Sequence, residues 1–161
     1  MTRATLTAVL VGITALTACT TSDQSGANAA TPSLFSPTAI GTDPVILVLD
    51  DQEGGSQMMP LTARLKGVEN ESCLVVVATN YRPERTAIPV WPKGTIPLRA
   101  SDGRRGVNTP VGEQILVGDS LSGGGSWIRP DSPAYPKFTP PAGCRGHDVY
   151  FVIDGTDLRR R

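Results

Sequence analysis

Three cysteines, one histidine and a few clustered carboxylates are the residues of this 161-residue chain whose types could do chemistry. Cys144 and His147 stand three apart, the spacing of half a metal site, with Cys73 and the adjacent Asp148 as candidates to complete it. Zinc takes four ligands, or three and a water, and one histidine supplies little toward that. Asp50, Asp51 and Glu53 bring three carboxylates together, the oxygen donors that hard cations take, but their spacing does not match a calcium loop. The expectation is no metal and no cofactor, with these carboxylates solvated. Among the aromatic residues Trp91 lies in an apolar run and is expected in the core. Trp127, Tyr135 and Phe138 come late, around a proline-rich stretch, and are the residues expected to touch a partner.

Leu16-Thr17-Ala18-Cys19 resembles the lipobox of bacterial lipoprotein precursors. Arg3 and then an uncharged run from Ala4 to Ala18, about 15 residues, precede it. A membrane span needs roughly 20, so the run suits the apolar centre of a signal peptide better. The resemblance implies a diacylglyceryl group on the Cys19 thiol and cleavage just before that residue. Residues 1–18 would then be the signal peptide, and Cys19 would be the acylated mature N-terminus, carrying palmitate-type chains. Two acyl chains are enough for stable anchoring. The expected address is the extracytoplasmic face of the cell membrane.

With Cys19 acylated, Cys73 and Cys144 remain as an even pair in a compartment that permits disulfides. One bridge between them is expected. Closing a loop of about 70 residues would stabilise the fold by roughly 4 kcal/mol in the chain-entropy treatment.

Gly118-Asp119-Ser120-Leu121 spells the signature of the GDSL esterases, in which the serine is the nucleophile. That family places the motif near the start of an α/β domain and follows it with a late histidine three residues after an aspartate. Here the motif is late, and the residue three before His147 is Cys144. A serine hydroxyl needs a base to be activated. The motif is therefore expected to be a turn, and an envelope ester hydrolase using Ser120 and His147 is the alternative reading. A carrier of a small apolar ligand is a third. The leading expectation is a membrane-anchored envelope lipoprotein that is a non-enzymatic binding or structural module, with a cell-wall or envelope protein as partner.

Lysine plus arginine and aspartate plus glutamate each number 15, and without residues 1–18 the acidic groups lead by one. No basic stripe is present to neutralise phosphates, so nucleic acid is not an expected partner.

The elements that must position these residues are short. Residues 19–44 are small and polar and read as a flexible tether, which at about 25 residues spans on the order of 25–30 Å. From Val45 to Leu49 the chain is continuously apolar, as in a strand buried on both faces. Leu61 to Val68 alternates and leads through a turn into Cys73–Ala78; together these predict a hairpin. Ala87–Trp91 predicts a strand that Pro89 would confine to an edge or a bulge. Ile96–Ala100, Gln114–Val117 and Asp148–Ile153 complete about seven strands, with turns at Pro92-Lys93-Gly94 and Asp102–Gly106. Gly123-Gly124-Gly125 is expected to mark a barrel corner or a close approach of backbones. The fold class is all-β. A small OB-like Greek-key barrel over residues 45–158 is favoured over a β-sandwich, with 159–161 as a basic tail.

Gly67 before the turn into Cys73-Leu74-Val75-Val76, then Val90-Trp91-Pro92-Lys93-Gly94-Thr95, Val117-Gly118-Asp119, the triple glycine and the late Cys144 resemble a group of small lipoproteins from actinobacteria and related bacteria. The resemblance covers about Leu61 to Ile153. It implies a β-barrel with a disulfide and no particular reaction.

Overall fold

Leu61, Ala63 and Leu65 are buried while Arg64 and Lys66 are exposed, the period-two pattern of a strand with one face on a core. The same logic repeats along the chain. A computed structural model describes residues 36–49, 58–69, 72–132, 140–155 and 157–161, all within the compact unit Pro32–Arg161. Cys19 and the signal segment, the Asp50–Glu53 cluster, Tyr135 and Phe138 lie outside the described residues.

Among the described residues the strands are β1 (Thr38–Ile40), β2 (Ile46–Leu49), β3 (Met59–Gly67), β4 (Leu74–Ala78), β5 (Arg85–Pro92), β6 (Ile96–Arg99), β7 (Arg105–Asn108), β8 (Gln114–Leu116), β9 (Ser120–Ile128), β10 (Tyr150–Ile153) and β11 (Arg159–Arg160). β3 and β4 form the expected antiparallel hairpin, with Leu65 opposite Val76. β4 pairs antiparallel with β5, β5 parallel with β10, β10 antiparallel with β9, and β9 antiparallel with β3. The ring closes, giving a five-stranded barrel with the connectivity of an OB-like Greek key. Closure leaves no second layer for a sandwich.

Side chains fill the barrel axis. Leu61, Leu65, Leu74, Val76, Trp91, Phe151 and Ile153 belong to one buried cluster, as a barrel this narrow requires. A small separate sheet, β6-β7-β8, closes one end: its Val107 and Ile115 join the same cluster. A second cluster lies outside the barrel wall. It joins Val75, Ile88, Val90 and Tyr150 with Leu47 and Leu49 of β2 and with Cys73 and Cys144. The sulfurs of Cys73 and Cys144 are bonded, with Cα atoms 5.1 Å apart.

The structure corrects four expectations. Thr38–Ile40 are not tether: they pair antiparallel with β2, Ala39 opposite Leu47, so the domain begins before Val45. β5 is not an edge. Ile88 donates its N–H to Val149 on the β10 side, so the ring nitrogen of Pro89 faces the other side. There β4 ends its pairing at Ala87 and β2 begins at Val90. The missing N–H falls in the gap between two neighbours, where no ladder bond is lost. The triple glycine is not a corner but the middle of β9, one of the two longest strands; the other expectation for it, a close approach of backbones, holds at Gly125, where a Cβ would lie 2.1 Å from the Val152 carbonyl oxygen. Arg159–Arg160 are not a loose tail: both are exposed, but they form β11 against β9, with Arg160 opposite Leu121.

Candidate functional site

The barrel end opposite the small sheet carries two half-buried aromatic side chains beneath an exposed arginine. Asn80 builds it. Its side-chain amide donates to the carbonyl of Pro60 at 2.9 Å, and its Oδ1 accepts the Thr62 N–H at 3.3 Å. The side chain thus stands in for a strand residue beside β3 and ties down the turn between β4 and β5. Thr79 reinforces it by donating its N–H to the Thr62 carbonyl at 2.8 Å.

Tyr81 follows on that fixed turn. Trp127 of β9 lies opposite Phe151 of β10, and the two rings meet edge-on at 4.9 Å between centroids. Tyr81 meets Trp127 edge-on at 5.4 Å, and the indole Nε1–H donates to the Tyr81 hydroxyl at 3.1 Å. Both rings pack against the inner cluster. Above them the Arg85 guanidinium lies 4.7 Å from the Tyr81 centroid and 5.8 Å from that of Trp127, a doubled cation–π contact. Arg85 is in register with Ala78 at the first position of β5. It is exposed, and no hydrogen bond or ion pair among the described residues uses it.

Of the three residues expected to touch a partner, Trp127 is therefore placed in this rim. Tyr135 and Phe138 lie outside the described residues; Ile128 and Tyr150, which flank that stretch in sequence, stand opposite each other on β9 and β10. Sequence reasoning missed Tyr81 and Arg85. Their signal was weak: a turn tyrosine and a strand-initial arginine become neighbours of Trp127 only once β4, β5 and β9 share a barrel.

The other candidates fare differently. Asp119 is a structural residue. Its Oδ2 accepts the Leu116 N–H at 3.0 Å, and its carboxylate faces Arg104 and Arg160 at 3.5 and 3.7 Å. The Gly118 N–H donates to the Leu65 carbonyl, and the Leu65 N–H donates to the Asp119 carbonyl. The esterase-like tetrapeptide is thus the turn that leads into β9. Ser120 and His147 are not brought together. Tyr150 sits opposite Ile128, at the far end of β9 from Ser120. At about 3.3 Å per residue the separation along the strand is roughly 26 Å, and the three residues from Tyr150 back to His147 can recover only about 10 Å of it. Cys144 is consumed by the disulfide, so the Cys144–His147 pair supplies no thiolate. Among the described residues no group of three or more metal-ligating side chains gathers, and no helix is long and apolar enough to cross a membrane.

Two other surfaces were candidates for contact. OB modules bind polymers on the outer face of their second and third strands, here β4 and β5. That face is closed: Val75, Ile88 and Val90 are buried in the outer cluster with β2 and Cys144. A shallow cleft of about 430 Å³ runs along β3 and β9, lined by Met58, Met59, Thr62, Gly124, Asp157 and Arg161. It holds one carboxylate and one guanidinium, and so favours neither sign of charge.

Comparison with known proteins returns no matching family model, no matching curated protein and no matching solved structure.

Proposed function

We propose that this chain is an envelope lipoprotein, held at the extracytoplasmic face of the membrane through acylated Cys19, whose barrel is a non-enzymatic binding module. Residues 20–35 serve as its tether, and the rim of Tyr81, Arg85 and Trp127 is its contact surface. One observation carries the reading of the rim: an exposed guanidinium is stacked on two rings and engages no acceptor among the described residues, while the outer wall that an OB module would use is packed. Barrel mouths are favoured places for ligand sites. The anchor rests on the lipobox at Leu16–Cys19.

Metabolic labelling in a bacterial host with an alkyne analogue of palmitate tests the anchor. The wild-type chain should take up label and sediment with membranes; Cys19→Ala should do neither. Purified chain is then mixed with washed bacterial envelopes and sedimented. Binding that survives in Tyr81→Ala/Trp127→Ala would remove the rim from the reading. Labelling of Ser120 by a fluorophosphonate would overturn the non-enzymatic assignment.

A further inference from the structure

We infer that β1 is a strap over the pairing edge of β2, and that this edge, once uncovered, takes the β2 of a second copy of this chain. β2 is buried on both faces. Ile46 and Val48 belong to the axial cluster and Leu47 and Leu49 to the outer one, and with Val45 the run is apolar and carries no charge. Such a strand keeps only its two edges for pairing. One faces β5, with Leu47 opposite Val90. The other is covered by Thr38, Ala39 and Ile40, and β1 ends the sheet there. An apolar, charge-free edge is a template for a further strand, and folded proteins cover such edges.

The cover is slight. Thr38 and Ala39 are exposed and Ile40 is half-buried. Ile40 packs on the axial cluster, and the turn behind it is clamped by Asp43 with Arg99 and Arg105, so the strap is fixed at that end. Pro37 precedes it at the other. Proline has no N–H to extend a ladder, which keeps the strap short and its own outer edge a poor template. The occupant follows from the register. β1 lies antiparallel to β2 with Ala39 opposite Leu47. A second β2, laid antiparallel and centred on the same residue, puts Leu47 opposite Leu47 and Ile46 opposite Val48. Ile46 of the second copy then takes the place of Thr38, Leu47 that of Ala39 and Val48 that of Ile40. The two small exposed residues of the strap give way to large apolar ones. The pairing maps each copy onto the other, the isologous geometry of a closed dimer. In the intact chain the strap is tethered to the edge it covers, and its effective concentration keeps a second copy out.

Native mass spectrometry of the full chain released from detergent micelles tests this. The wild type should be monomeric. Thr38→Pro/Ile40→Pro, which removes two N–H groups of the strap, should raise the dimer fraction about tenfold or more at the same concentration. Where that variant does not fold, Thr38→Gly/Ala39→Gly loosens the strap and leaves Ile40 in the core; its dimer fraction should rise by a smaller factor. Hydrogen exchange locates the contact: the amides of Ile46–Leu49 should stay protected in the dimer. A peptide with the sequence of residues 36–44, added in excess, should return the dimer to monomer. Strap variants that fold and remain monomeric would overturn the assignment. So would dimers equally abundant in the wild type, dimers in which the Ile46–Leu49 amides exchange freely, or dimers that the peptide leaves intact.

Discussion

At the scale of single residues, charge in this molecule is mostly employed in holding turns. Arg104 donates its N–H to one carboxylate oxygen of Asp102 at 2.9 Å and its Nε–H to the other at 2.7 Å. These bonds, the backbone one first and the side chain second, hold the Asp102 carboxyl below its ordinary 3.8 and raise the Arg104 guanidinium. A carboxyl lowered in the folded state adds stability above its unfolded pKa and loses it as pH falls through the folded value. An NMR titration of the Asp102 side chain should accordingly give a midpoint below 3.8. Arg104→Ala should raise that midpoint part of the way, because the backbone donor remains. A wild-type midpoint at or above the ordinary value would contradict the bonded turn. Asp43 plays a similar part, receiving Arg99 and, at 3.5 Å, Arg105. Arg105 also donates to the Val68 carbonyl at 3.2 Å. Gly67 is what lets it pass: a Cβ there would meet the guanidinium at 2.6 Å.

At the scale of elements, β9 shows why a strand can hide in a sequence. Three consecutive glycines lower β propensity and carry no side chains to alternate, so Ser120–Ile128 does not look like a strand. Its neighbours decide otherwise. A Cβ on Gly125 would lie 2.1 Å from the Val152 carbonyl oxygen and 2.5 Å from the Phe151 ring, whereas one on Gly124 would make ordinary contact with Met58 at 3.6 Å. Gly125→Ala should destabilise the domain at the upper end of the roughly 1–3 kcal/mol typical of overpacking, or beyond it. Gly124→Ala should stay within about 0.5 kcal/mol of wild type. Urea unfolding of the two variants side by side checks this, and similar costs at both sites would remove the close approach as the reason for glycine. The same dependence on neighbours explains Pro89 and β1. Neither has a sequence signal for its position, because each is set by where β2 lies against β5.

At the scale of the whole molecule, the barrel carries two cores, one along its axis and one outside its wall, and the disulfide sits in the outer one. Cys73 and Cys144 are 71 residues apart in sequence and both are buried. Their bond pins the segment before β10 against the start of β4. Cys73→Ala/Cys144→Ala should lose roughly 4 kcal/mol, from loop entropy in the chain-entropy treatment. Thermal unfolding of oxidised wild type against the double variant measures it; an unchanged midpoint would show the segment to be held without the bond. The bond lies within the packing that covers the outer face of β4 and β5.

Much of this architecture was legible before any coordinates. The continuous apolar run at Val45–Leu49, the hairpin from Leu61 to Ala78, the paired cysteines and the all-β barrel follow from burial periodicity and residue type, which act locally along a chain. The resemblance of Leu16-Thr17-Ala18-Cys19 to a lipobox is likewise local, carried by four residues. Tertiary structure alone decided the rest: that the glycine-rich stretch is a strand, that the last arginines are backbone-paired, that Ser120 and His147 are held apart, and that Tyr81 and Arg85 meet Trp127. Each of these depends on which strands become neighbours across the ring. The closing pairs β5–β10 and β9–β3 join segments far apart in sequence, and no local pattern records a contact of that kind.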